Sequence, residues 1–248
     1  MEQRKLDYIM IKDFQTYINE GLFDRNQSEF IVIHDKNNDV INIEKITQEN
    51  YYDVLRNEIK RQGGIDVDLS MYDLTGINTF DHFSAIFGDF DDIERLVLPK
   101  GLEKLPNHGT DADYKKTVYG FYGKKKLKEI ILPESLKYLS EELFCDCGLE
   151  ELKIPHNVVE LHELTCQSCE NLKRVYLPRS LESFWGWTFD DCKNLTDLYY
   201  EGTEDEFESL KEMSMSDVST KYSEDRNASE QMSVIWMNGV KIHYNCKY

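Results

Sequence analysis

A proline set at one point of a recurring apolar pattern constrains this chain more than any other feature. The chain has five prolines, and four share one context: Leu98-Pro99, Leu132-Pro133, Ile154-Pro155 and Leu177-Pro178. The last three are spaced 22 and 23 residues apart. Each closes an alternating stretch: Ile93-x-x-Leu96-x-Leu98, Leu127-x-x-Ile130-x-Leu132, Leu149-x-x-Leu152-x-Ile154 and Leu172-x-x-Val175-x-Leu177. A fifth copy, Leu195-x-x-Leu198-x-Tyr200, lacks the proline. Alternation is the period of a strand with one buried face. A proline at its end stops the ladder, because it has no N–H to donate.

The register continues past the proline. Three and six residues on stand Leu102 and Leu105, Leu136 and Leu139, Val158 and Leu161, Leu181 and Phe184. Eleven residues on come Phe144, Cys166 and Phe189, and fourteen on come Cys147, Cys169 and Cys192. The interval from Pro99 to Pro133 is 34 residues, 34 − 23 = 11 too many, and the excess falls between Leu105 and Phe121. The segment near 106–120 therefore reads as a turn-rich surface insertion. A degenerate copy opens with Val67-Asp-Leu69 and sets Phe87 and Phe90 in the Phe and Cys slots. One coil cannot bury its own apolar face, so neighbours must stack. The expected fold is mainly β: a solenoid of parallel strands over 65–210, with about five to six repeats.

The unit L-x-x-[IVL]-x-[LI]-P-x-x-[LV]-x-x-[LIF], ending in F-x-x-C, resembles the BspA-like class of leucine-rich repeats. The stretch from Leu195 to Phe207, and Ile242-His-Tyr-Asn-Cys246, also resemble that family's ending. The resemblance implies a non-catalytic protein, commonly secreted or on the cell surface, that binds host or matrix proteins. No apolar leader follows Met1, which on its own gives a cytoplasmic expectation if Met1 is the native start.

A solenoid leaves a raw sheet edge at each end, and both ends read as caps. Residues 1–64 read as a small α/β cap, with an independent domain as the alternative: a helix with Phe14, Tyr17, Ile18 and Leu22 on one face, and a hairpin of Phe30–Ile33 with Val40–Ile43. A second helix is capped at Thr47, with Tyr52, Leu55 and Ile59 inward and Gly63-Gly64 at its end. At the other end Thr203-Glu-Asp-Glu206 is a capping box, with Phe207 and Leu210 giving its helix an apolar face. Residues 211–248 complete that cap with a polar loop and a hairpin around Asn238-Gly239.

The net charge of −18 opposes a phosphate backbone as partner, and no apolar run reaches the roughly 18 residues of a membrane span. No catalytic motif and no cofactor-binding motif occurs. Cys145-x-Cys147 and Cys166-x-x-Cys169 could be halves of a zinc site. The repeat offers a simpler account, a ladder of small buried residues at Cys147, Cys169 and Cys192, while a disulfide stays open as a third.

Three groups are candidates for binding. Val97, Ile131, Lys153, Tyr176 and Tyr199 sit between inward positions and should form an outward stripe across one sheet face. Tyrosine suits an interface, since it brings large area at low entropic cost. The insertion or the caps covering this stripe is the alternative. Trp185 and Trp187 flank the inward Phe184 and are expected at the surface. Lys124, Lys125 and Lys126 form a basic cluster just after the insertion, either a solvated loop or a contact for an acidic partner. The expected function is a protein–protein interaction module, adhesin-like or a scaffold. A carbohydrate binder using exposed aromatics and a structural assembly subunit are the alternatives.

Overall fold

The computed structural model describes residues 30–34, 40–79, 82–110, 117–184, 187–210 and 239–248. The expected helix over Phe14–Leu22 lies outside them. β1 (Phe30–His34) and β2 (Val40–Lys45) pair antiparallel, as the two apolar runs imply. α1 (Tyr51–Arg61) follows and buries Leu55 and Ile59. Thr47 caps its entry as expected: the Thr47 hydroxyl accepts the Glu49 N–H at 3.3 Å, its carbonyl accepts the Tyr51 N–H at 3.1 Å, and Asn50 Oδ1 accepts the Thr47 N–H in return at 2.7 Å. Gly63 and Gly64, at φ 82° and 69°, turn the chain off the helix in the left-handed region that glycine favours.

Each alternating run of the repeat becomes a strand. β3 (Asp66–Asp68) and β4 (Arg95–Val97) open the solenoid. β8 (Glu129–Ile131), β10 (Glu151–Lys153), β12 (Arg174–Leu177) and β14 (Asp197–Tyr200) continue it, one per coil. Pairing is parallel, and the inward residues align: Val67 with Leu96 and Ile130, then Leu152 with Val175 and Leu198. The proline then turns the chain to the opposite side of the coil.

There a second parallel sheet forms from two-residue strands: β5 (Lys104–Leu105), β9 (Tyr138–Leu139), β11 (Glu160–Leu161) and β13 (Ser183–Phe184). Leu105, Leu139, Leu161 and Phe184 stand in register, and the buried Leu105, Leu139 and Leu161 form the inward row of this sheet.

The two sheets enclose a narrow core whose buried residues run without interruption from Ile46 to Leu210. Between them the Phe slot stacks ring on ring, with Phe87 to Phe121 at 5.0 Å and Phe121 to Phe144 at 5.7 Å. Cys166 and Phe189 continue this slot and are buried. In the next slot each thiol donates to a carbonyl of the preceding coil. Cys147 reaches Phe121 O at 2.8 Å, Cys169 reaches Phe144 O at 3.0 Å and Cys192 reaches Cys166 O at 3.0 Å.

The insertion is more ordered than its turn-rich composition implies. β6 (His108–Thr110) and β7 (Thr117–Tyr119) form an antiparallel hairpin; its tip, 111–116, lies outside the described residues. It packs on a 3-10 turn, Ser84–Phe87, so closely that a Cβ on Gly120 would sit 2.5 Å from Ser84 O.

The C-terminal capping box forms as expected. Glu206 accepts the Thr203 N–H at 2.8 Å and the Thr203 hydroxyl accepts the Glu206 N–H at 3.3 Å. α2 (204–210) buries Phe207 and Leu210. The first arm of the expected C-terminal hairpin lies outside the described residues. Its second arm, β15 (Lys241–His243), pairs parallel with β14 and is a further rung of the first sheet.

Candidate interaction face

Strand alternation sends two rows of side chains out of the first sheet. One row is charged: Asp66, Arg95, Glu129, Glu151, Arg174 and Asp197 at successive rungs. The other is the expected stripe, and the structure gives its members unequal roles. Val97, at 8% exposure, is covered and corrects the expectation of an outward contact there. Ile131 is 39% exposed and Lys153 is exposed. Tyr176 and Tyr199 are half-buried because they stack face to face, with centroids 4.8 Å apart and planes 13° from parallel.

Sequence reasoning missed what extends this stack. His243, on β15, lies over Tyr199 at 4.4 Å and 7°, and its Nε2 is 2.7 Å from Asp197 Oδ1. That contact first, then Thr196, holds the Asp197 carboxyl below the usual range. Lys153 places its ammonium 5.2 Å over the Tyr176 ring. A cation over an aromatic face is attracted by the ring quadrupole. Tyr248 then folds back over the sheet. It packs on Tyr176 at 5.2 Å, stacks on His156 at 5.6 Å and donates its hydroxyl to Ile154 O at 3.2 Å. The alternation of Ile242-His-Tyr could have placed His243; no local signal places Tyr248.

His156 ties this corner together. Nδ1 lies 2.9 Å from Glu134 Oε2 and Nε2 lies 3.0 Å from Glu201 Oε1. Its pKa is raised, chiefly by Glu134. Beside it a groove of about 290 Å³ is lined by Glu129, Ile131, Glu134, Glu151, Lys153 and Tyr248, among others.

The lysine cluster is a brace between coils. Lys124 is only 5% exposed and donates to Phe90 O at 3.2 Å and Asp91 Oδ1 at 3.0 Å, which corrects its assignment as a surface contact. It occupies the Cys slot of its coil, with the stem inside and the ammonium at the rim. Lys125 pairs with Asp146, and Lys126 with Asp92 at 2.5 Å. Trp185 lies outside the described residues, and Trp187 is half-buried. The aromatics that stand out are Tyr119 and Tyr122, 48% and 47% exposed.

The cysteines separate as the repeat implies. Burial, before any other cause, pushes the Cys147 and Cys166 thiols well up. Cys192 is raised by its hydrogen bond with Cys169 and then by burial. Cys145 is also buried but lies outside the main core cluster, with its thiol facing Gln167 Oε1 at 3.7 Å. All six cysteines are free thiols.

Comparison with known proteins bears on the repeat region. Residues 117–219 match the BspA type Leucine rich repeat region, in 6 copies. No curated protein matches the chain. Among solved structures it is similar to a leucine rich cell surface protein from Faecalibacterium prausnitzii A2-165, with a TM-score of 0.39 and 18% identity over 47% of this chain and 34% of that one. It thus spans about a third of that protein's length. It is also similar to the T. pallidum leucine rich repeat protein, with a TM-score of 0.42 and 20% identity over 70% and 69% of the two chains. A leucine-rich repeat protein from Bacteroides ovatus ATCC 8483 aligns with a TM-score of 0.37 and 26% identity over 52% and 35%. Stacked parallel coils, a proline after four of the strands, the Phe and Cys ladders and the match over 117–219 together show a leucine-rich-repeat solenoid whose repeats resemble the BspA type.

Proposed function

We propose that the chain is a non-catalytic protein-interaction module, adhesin-like or a scaffold, that binds through the outer face of its first sheet. The repeat family suggests an interaction or scaffold role, and such families are generally non-catalytic. The observation that carries the reading is the preassembled ladder of Lys153, Tyr176, Tyr199 and His243, flanked by exposed Ile131. Stacked rings have already lost their rotamer freedom, so a partner that docks on them orders little.

The test compares the full chain with Tyr176→Ala/Tyr199→Ala as bait on extracellular matrix extract and on native lysate. Proteins retained by the wild type and lost by the variant, at an unchanged melting temperature, support the face. Equal retention by both baits would remove it.

A carbohydrate-binding reading has one observation in its favour, the exposed Tyr119 and Tyr122 pair with rings 5.7 Å apart. Glycan-array binding abolished by Tyr119→Ala, with Tyr176 and Tyr199 intact, would favour it.

A further inference from the structure

The first sheet is interrupted at one junction. β8 and β10 occupy consecutive coils, yet the sheet divides there into β3-β4-β8 and β10-β12-β14-β15. Other junctions are closed by a bond from the residue after the strand: Leu69 N–H to Val97 O, Leu98 N–H to Ile131 O and Ile154 N–H to Tyr176 O. Among the described residues the equivalent bond, Leu132 N–H to Lys153 O, is not formed, and Glu150 N–H to Lys128 O closes only the entrance of the strands. This junction is spanned by the shorter, 22-residue interval, and the groove of about 290 Å³ lies over it.

The charged row has its own discontinuity at the same place. Arg95 pairs with Asp66 and Glu129, and Arg174 pairs with Glu151. Glu129 and Glu151 therefore stand at neighbouring rungs with no cation between them. Like charges on adjacent coils repel. Glu134 lines the same groove and is held by His156. The one ammonium lining it, that of Lys153, is drawn over Tyr176.

We propose that this seam anchors an arginine side chain of a partner protein, with the guanidinium between Glu129 and Glu151 and the methylenes along Ile131. The inference rests on the interaction reading above and names the chemistry of its partner. A guanidinium presents five N–H donors in a planar fork, enough to meet two carboxylates and an unpaired strand carbonyl together. An ammonium lacks that planar fork, and a neutral urea group lacks the charge.

The test is an amide NMR titration of the full chain with the peptide Ac-Gly-Ser-Arg-Ser-Gly-NH2 and its lysine and citrulline counterparts. The expected result is shifts centred on the Ile130, Leu132 and Lys153 amides. Arginine should bind at least about tenfold more tightly than citrulline and more tightly than lysine. Glu129→Gln/Glu151→Gln should abolish the shifts, and Glu182→Gln, away from the groove, should leave them unchanged. Each variant is first shown to melt cooperatively; if the double variant does not, the two single substitutions carry the comparison. Equal binding of citrulline or lysine, shifts centred elsewhere, or none at about 10 mM peptide would overturn the proposal.

The Gln variants also serve as bait beside Tyr176→Ala/Tyr199→Ala. Loss of partners with the tyrosine variant alone would leave the interaction face standing and remove the arginine anchor. Retention by every variant would remove the face itself.

Discussion

At the scale of single residues, the cysteine slot shows why a repeat prefers one side chain at one position. The slot needs a small buried group that can donate a hydrogen bond to a carbonyl of the coil behind it. Cysteine does both, as Cys147, Cys169 and Cys192 show. Burial keeps these thiols out of reach, although hydrogen bonding with Cys192 holds Cys169 below the usual thiol range. In the native protein a thiol reagent such as DTNB should react promptly with Cys246, the half-exposed cysteine, and with the five buried ones only in denaturant. More than one fast thiol in the native state would show the ladder open to solvent. His156 gives a second residue-scale outcome. Its folded pKa is raised by Glu134 and Glu201, and both carboxylates and the Tyr248 ring face it. The stabilisation is fully present below the unfolded value of about 6.5 and is lost as pH rises through the folded value. Melting temperature should therefore fall from pH 6 to pH 8 in the wild type, and His156→Gln should flatten that slope. An unchanged slope in the variant would show that His156 does not fasten the C-terminal residues.

At the scale of elements, the strands of the first sheet were legible because apolar alternation and a terminal proline act through local geometry. The Phe and Cys slots were legible because they recur at fixed distance. The second sheet was not: two-residue strands carry no period, and only stacking makes Leu105, Leu139 and Leu161 a sheet. The insertion hid a hairpin because its strands are polar and draw their order from packing on Ser84–Phe87. Lys124 was misplaced because residue type argued for solvent while its slot argued for the interior, and the slot prevailed. In the candidate site, Ile131, Lys153, Tyr176 and Tyr199 could be named from alternation, whereas Tyr248 arrives by tertiary folding alone. The short interval before Pro155 was visible too, but not its consequence. There the chain steps from Cys147 to Leu149 through Gly148, where an added Cβ would lie 2.0 Å from Lys125 O. Backbone on both sides cannot yield easily, so Gly148→Ala should destabilise by about 1–3 kcal/mol, read from urea unfolding. A variant as stable as the wild type would show that this coil can relax.

At the scale of the whole molecule, a solenoid is stabilised by each coil and by each junction with its neighbours. The junction between the β8 and β10 coils lacks strand pairing in the first sheet, so it depends on the rest of its cross-section. The second sheet passes through it unbroken, with Leu139 in register with both Leu105 and Leu161. Inside, Phe121 stacks on Phe144 and Cys147 bonds to Phe121 O, and Gly123 N–H reaches Cys145 O at 2.9 Å. Those links should keep the wild type to a single cooperative unfolding transition. Leu139→Ala removes buried contact where only one sheet holds, at a cost of about 2–5 kcal/mol. Leu198→Ala removes an equally buried leucine away from that junction, where β14 pairs with both β12 and β15. The two variants should lose similar stability and differ in cooperativity. Hydrogen exchange in rising urea should release the β10–β15 coils and the β3–β8 coils at separate concentrations in Leu139→Ala, and together in Leu198→Ala. Joint release in both would mean that the break in the first sheet does not weaken the junction. Separate release in both would mean that the solenoid divides wherever its core is thinned, and that the seam has no special standing.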